Sequence, residues 1–234
     1  MNITCFYQPL ILNSKVTEFS KDSLELIKLW KKSWSDNGWN PIVLSLEDAK
    51  RHPRYNEIDL RDYSSNLYKH SINGPDYLEL CYSRWFAYAC NDGFWSDYDV
   101  INYGFTPEGA QHLVQYDPAF IDNIGSCGFA TLKGHELIIE GFVEAIKKDT
   151  IVNDILFLQE KHKWKKDISD MHINRRSKSP INIAPNKLCC DDFSNDDWRS
   201  FDLVHYHNGF WNHFANSKHK TRSEFIQNER PVCN

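Results

Sequence analysis

A chain of 234 residues is long enough for one sizeable core and short for two, so any functional sites would share one domain. Hydrophobic residues at 41% and charged residues at 25% exclude long disorder and a coiled coil. A formal charge of −5 excludes bulk attraction to nucleic acid or an anionic membrane, although basic residues gather late, at 161–166, 175–178 and 218–222, as phosphate contacts or as solvated faces.

Residues 3–7 alternate and are rich in apolar side chains, which predicts a first strand that Pro9 ends. From 19 to 37, Phe19, Leu24, Ile27, Trp30 and Trp34 recur at helical spacing, with Ser20 or Asp22 as caps and Gly38 as the stop. Residues 39–46, with Pro-Ile-Val-Leu inside them, predict a buried strand, followed by a short helical piece that Pro53 closes. Strand, helix and strand imply a right-handed crossover and a parallel sheet. Residues 55–74 are polar and lack a clear period, which predicts a long loop with one helical turn.

Pro75 opens a helix over 76–91 that carries Leu78, Tyr82, Trp85, Phe86 and Ala89, and Gly93 breaks it. Residues 94–101 predict a strand in which Asp97 and Asp99 alternate, so that both carboxylates leave one face near its end. The second half predicts a Gly-rich turn at 125–128, helices over 135–148 and 152–162, an exposed excursion over 165–197 and a late strand over 201–206. No apolar run reaches membrane-spanning length, and the start lacks an export signal. Seven Cys without Cys-x-x-Cys spacing, two of them adjacent at 189 and 190, fit reduced thiols; the expectation is a cytoplasmic protein.

Two carboxylates two residues apart, Asp97 and Asp99, can share one Mg2+ or Mn2+ that bridges a diphosphate. Alone, Asp-x-Asp is common, and a solvated turn is its ordinary reading. Its surroundings are more specific. From Tyr82 to Val100 the chain reads Tyr-Ser-Arg-Trp-Phe-Ala-Tyr-Ala-Cys-Asn-Asp-Gly-Phe-Trp-Ser-Asp-Tyr-Asp-Val. This passage resembles the signature of the DXD-containing, GT-A-type glycosyltransferases, and their retaining sugar-binding group most. In that family a helix carrying an Arg runs through a small-residue turn into a strand ending in Asp-x-Asp. Cys81 stands where related sequences often carry an Asp three residues before the Arg, and Asp92-Gly93 stands for a Gly-Gly pair.

The resemblance implies an α/β fold, a single-domain GT-A (Rossmann-like) mixed sheet flanked by helices, with residues 1–101 binding the donor and 102–234 facing the acceptor. It implies a metal-dependent transfer from a nucleotide-sugar, UDP- or GDP-linked, to a hydroxyl of a glycan, a glycoconjugate or another acceptor such as modified DNA. Asp99 would ligate Mn2+ or Mg2+, Asp97 would join it or contact the ribose, and Arg84 would approach the donor sugar or diphosphate. Tyr98 belongs to the same donor-contacting set. Downstream, Leu203-Val204-His205-Tyr206-His207-Asn208 is similar to the late strand that delivers a His as third ligand, with His205 the candidate and His207 its alternative.

Tyr7, after the first strand, is a candidate to stack on the base or a loop-packing aromatic. Asp154 is a candidate base, or orients the acceptor hydroxyl, or caps a helix. Two other readings stand beside the transferase. Asp97-Tyr98-Asp99-Val100-Ile101 also resembles the nucleophile motif of haloacid-dehalogenase-type phosphatases, and the 8 Trp suit a non-catalytic carbohydrate- or nucleotide-binding module. Gly-x-Ser-x-Gly, P-loop, dinucleotide and zincin motifs do not occur.

Overall fold

The structure, a computed structural model, describes residues 1–9, 11–12, 15–16, 18–67, 75–121, 125–148, 154, 157–158, 202–206 and 221–229. The first strand, β1 (Asn2–Phe6), leads through a small antiparallel pair, β2 (Ile11–Leu12) and β3 (Lys15–Val16), into helix α1 (Glu18–Asp36). Gly38, at φ 84°, ends that helix in the left-handed region that glycine tolerates, and β4 (Asn40–Leu44) then pairs parallel with β1. The expected parallel crossover is present. Ser20 and Asp22, expected as caps, lie inside α1, because the helix begins earlier, at Glu18.

After α2 (Leu46–Lys50) comes the stretch expected to be a loop. It holds a 3-10 turn at Tyr55–Glu57 and a helix, α3 (Leu60–Leu67), that seats Leu60 and Tyr63 in the core. Polar residues between those anchors hid the helical period. Next, α4 (Pro75–Ala89) leads through Gly93, at φ 122°, into β5 (Gly93–Ser96), which pairs parallel with β1.

The strand expected over 94–101 is two strands, β5 and β6 (Val100–Asn102), with Asp97 and Asp99 in the turn between them. After α5 (Pro107–Ala110) and a 3-10 turn at Gln111–Gln115, β7 (Ala119–Phe120) and β8 (Cys127–Ala130) extend the sheet, antiparallel to each other. The Gly-rich stretch expected as a turn therefore runs into β8, which is antiparallel to β5. A Cβ on Gly128 would collide with the Ala119 carbonyl and the Trp95 ring, which is why a glycine fits inside this strand. Helix α6 (Leu132–Lys147), strand β9 (Leu203–His205) and helix α7 (Arg222–Glu229) complete the described elements.

The central sheet has the order β4-β1-β5-β8-β7, a mixed sheet, while β6 pairs antiparallel with β9 beside it. Alternation along β5 sorts its side chains: Phe94 joins a core with Trp30, Trp34 and Trp39, whereas Trp95 joins one with Trp85, Phe86 and Phe142. Helix α1 thus covers one face, and α4 with α6 covers the other. Trp30, Trp34, Trp39, Trp85 and Trp95, the five described tryptophans, are all buried, so none of them is a surface platform for sugar rings. The helix expected over 152–162 is described only at Asp154, Phe157 and Leu158, and the excursion over 165–197 lies outside the described residues. No helix among the described residues is long and apolar enough to cross a membrane.

Candidate metal centre

The turn from β5 to β6 is fixed from several sides. The Val100 N–H donates to the Asp97 carbonyl at 3.0 Å, and the Asp97 N–H donates to the Ser126 carbonyl at 2.6 Å. Helix α1 grips both flanks: the Trp30 indole N–H donates to Ser96 Oγ at 2.7 Å, and that of Trp34 to the Val100 carbonyl at 3.1 Å. These bonds sit in the dry core, where an unmade partner is expensive.

Strand β9 brings the imidazole. Val100 and His205 are register partners, and the Tyr206 N–H donates to the Asp99 carbonyl at 2.8 Å. Asp97, Asp99 and His205 consequently each offer one ligand atom, all within 4.8 Å of one another. His205 Nε2 lies 3.2 Å from Asp99 Oδ1. The carboxylates converge through the turn rather than through a shared strand face, a correction to the expectation from alternation. His207 lies outside the described residues.

Two guanidiniums surround this cluster. Arg84 Nη1 is 2.7 Å from Asp97 Oδ1, while its Nε and Nη2 donate to Asp154 Oδ2 at 3.1 and 2.6 Å. The Trp85 indole N–H donates to the same Asp154 oxygen at 3.0 Å, and this carboxylate is buried. Burial works against the Arg84 charge, but Asp154 and then Asp97 outweigh it and hold the guanidinium well above its ordinary pKa. On the other side, Arg222 Nη1 is 2.9 Å from Asp99 Oδ2, and Arg222 Nε is 3.6 Å from Asp22 Oδ2. Among the described residues that these ion pairs join, the four carboxylates of Asp22, Asp97, Asp99 and Asp154 and the two guanidiniums carry a formal charge of −2.

The donor set fits a metal. Two carboxylates supply oxygen and the imidazole supplies nitrogen, a set that could hold a divalent cation. Beside the cluster opens a cleft with a cavity volume of about 120 Å3. Tyr7 and Gln8 enter it from the end of β1, Tyr77, Cys81 and Arg84 from α4, and Asp97, Tyr98 and Asp99 from the turn. Since β1, β4 and β5 run parallel, this is the carboxyl end of the parallel strands, where open α/β sheets receive ligands.

Tyr7 and Tyr98 meet edge to face with ring centroids 5.6 Å apart, and the Tyr98 hydroxyl is 3.2 Å from Ser23 Oγ. Burial and the Asp99 charge push the Tyr98 phenol up to about 12, so it remains a neutral hydrogen-bonding group. Burial and then Asp154 raise the Cys81 thiol, and Cys81 and burial raise Tyr77. Neither is a ready nucleophile at neutral pH.

Of the residues singled out from sequence, Arg84, Asp97, Tyr98, Asp99 and His205 come together, Tyr7 reaches the cleft mouth, and Asp154 stands behind Arg84. Sequence reasoning missed Arg222, Asp22, Tyr77 and Gln8. Arg222 was one of a basic cluster at 218–222 read as phosphate contacts or solvated surface; it is instead buried, 123 positions from its carboxylate partner. The local sequence Thr-Arg-Ser-Glu carries no signal of a pairing with a carboxylate so far away in the chain.

Residues 1–105 match a family described as a domain of unknown function, DUF8765. The matched stretch contains Arg84, Asp97 and Asp99 and ends before His205 and Arg222. No curated protein matches the chain.

Proposed function

We propose that this protein is a metal-dependent glycosyltransferase that moves a sugar from a nucleotide-sugar, UDP- or GDP-linked, to an acceptor hydroxyl. The observation that carries the reading is the convergence of Asp97, Asp99 and His205 within 4.8 Å, with the two carboxylates lining a cleft at the carboxyl end of parallel strands. In it those three side chains would hold Mn2+ or Mg2+, the nitrogen donor suiting Mn2+ better than Mg2+. A bound ion there supplies Lewis-acid stabilisation of the departing diphosphate.

The chain's own residues do the rest. Arg84 is a fixed cation beside Asp97, held by Asp154 before any ligand arrives, so it meets diphosphate charge without reorganising. Asp154 accepts from Arg84 and Trp85 and is buried, so its part is to orient Arg84 in place of taking a proton. Tyr7 and Tyr98 offer rings to the base. The cavity is smaller than the ~300 Å3 at the low end of ligand pockets, so it would enclose only one part of the donor.

A thermal-shift screen of UDP- and GDP-sugars with Mn2+ tests the reading. Stabilisation that needs both the ion and one sugar nucleotide is expected, with slow hydrolysis of that donor abolished in Asp99→Ala. Undiminished hydrolysis in Asp99→Ala refutes the assignment. Metal-dependent turnover of simple phosphate esters, with no response to any sugar nucleotide, replaces it with a phosphohydrolase.

A further inference from the structure

We infer that Arg222 sets which divalent cation the centre accepts, by holding one oxygen of Asp99 and so limiting that carboxylate to a single metal bond. The inference rests on the metal reading above. The two Asp99 oxygens face different partners: Oδ1 is 3.2 Å from His205 Nε2, and Oδ2 is 2.9 Å from Arg222 Nη1. Asp97 is treated alike, its Oδ1 lying 2.7 Å from Arg84 Nη1. Each carboxylate of the centre therefore has one oxygen engaged by a guanidinium.

Arg222 does not yield that oxygen easily. Its side chain is 6% exposed, Nη1 also donates to the Tyr206 carbonyl at 3.3 Å, and Nε lies 3.6 Å from Asp22. The backbone beneath it is pinned as well. The N–H groups of Arg222 and Ser223 donate to the two oxygens of Asp22 at 3.3 and 3.2 Å, seating the start of α7 on α1. Swinging the guanidinium away would strand a buried charge.

Cation chemistry turns this clamp into selectivity. Ca2+ takes six to eight oxygens at longer distances and commonly draws both oxygens of a carboxylate. A centre that offers one oxygen from each carboxylate and one imidazole nitrogen is poor in oxygen and suits a smaller, six-coordinate ion that accepts nitrogen. Arg222 is thus a positioning residue: it acts on the ion through Asp99.

Calorimetric titration of the full chain with Mn2+ and with Ca2+ tests this, using Arg222→Gln and Arg222→Met. Both variants lose a positive charge and bind both ions more tightly, so the ratio of the two affinities isolates the clamp from the charge. Gln keeps an N–H for Asp99 Oδ2, and the ratio stays as in the unmutated protein. Met removes that donor, and the preference for Mn2+ over Ca2+ falls about tenfold, the scale of effect that partners of metal ligands exert. An unchanged ratio in Arg222→Met, or equal changes in both variants, overturns the inference and leaves the metal centre standing. Absence of Mn2+ binding to the unmutated protein removes the centre itself. Should Arg222→Met not fold, infrared difference spectra of the unmutated protein with 13C-carboxyl Asp decide the matter. Mn2+ must widen the separation of the carboxylate stretches, as single-oxygen coordination does, and a narrowed separation overturns the inference.

Discussion

The indole N–H of Trp30 lies 2.7 Å from Ser96 Oγ, joining the middle of α1 to the last residue of β5, one position before Asp97. Four residues along the helix, Trp34 holds the carbonyl of Val100, the first residue of β6. Two indoles thus bracket the turn that carries Asp97 and Asp99, and the helix's packing and the geometry of those carboxylates become one problem. Trp30→Phe keeps an aromatic ring but deprives a buried hydroxyl of its donor and leaves a small void. A loss of about 2 kcal/mol in urea unfolding is expected, with Mn2+ affinity falling about tenfold as the turn loosens. If affinity holds while stability falls, the two indoles serve packing alone.

Asp154→Asn separates the two parts this carboxylate has been given. Asn is nearly isosteric but leaves the mostly buried Arg84 with, among the described residues, only Asp97 to balance it. Breaking one side of such an ion pair costs about 3 kcal/mol, so denaturant unfolding must show a large loss of stability. A base accepting a proton from the acceptor would instead lose turnover with stability close to that of the unmutated chain.

Much of the fold was legible because it is local. The spacing of Leu24, Ile27, Trp30 and Trp34 marked a helix over 19–37, found at Glu18–Asp36, and the run Pro-Ile-Val-Leu marked the strand that pairs with β1. The Asp pair and His205 were legible as residue types in a pattern. The turn that unites the pair was not, because the alternation of Phe94 to Ile101 continues through a chain reversal that the bond from Val100 to Asp97 makes. Strands β7 and β8 were missed for another reason: Cys-Gly-Phe-Ala has weak strand character of its own and becomes a strand by pairing with β5. Arg222 was invisible because its meaning lies in Asp99 and Asp22, far away in the chain.

Metal should stabilise the native state and do so through three residues. At Mn2+ a hundredfold above its Kd, linkage gives about 2.7 kcal/mol, a rise of several degrees in melting temperature for a chain of this size. Asp99→Ala and His205→Ala should each abolish the rise, and a chelator should reverse it in the unmutated protein. A Mn2+ response that survives in both variants would place the ion elsewhere.

His135 makes the acid limb of stability testable apart from the site. It is 2% exposed, its ring lies 5.3 Å from that of Trp95, and Nδ1 has no hydrogen-bond partner among the described residues. Burial lowers its pKa from 6.5 to about 4; Asp117 opposes this and His52 adds to it. Because the folded value is depressed, the unfolded chain binds more protons between those two values, and stability rises with pH across that window. Acidification from pH 7 therefore begins to favour the unfolded chain near 6.5, and the group's full cost, about 3 kcal/mol, is reached below about 4. His135→Leu removes the titrating group, so urea unfolding at pH 7, 6 and 5 should show a shallower fall in the variant than in the unmutated protein. Parallel curves would mean that the imidazole finds a way to accept its proton without leaving the core.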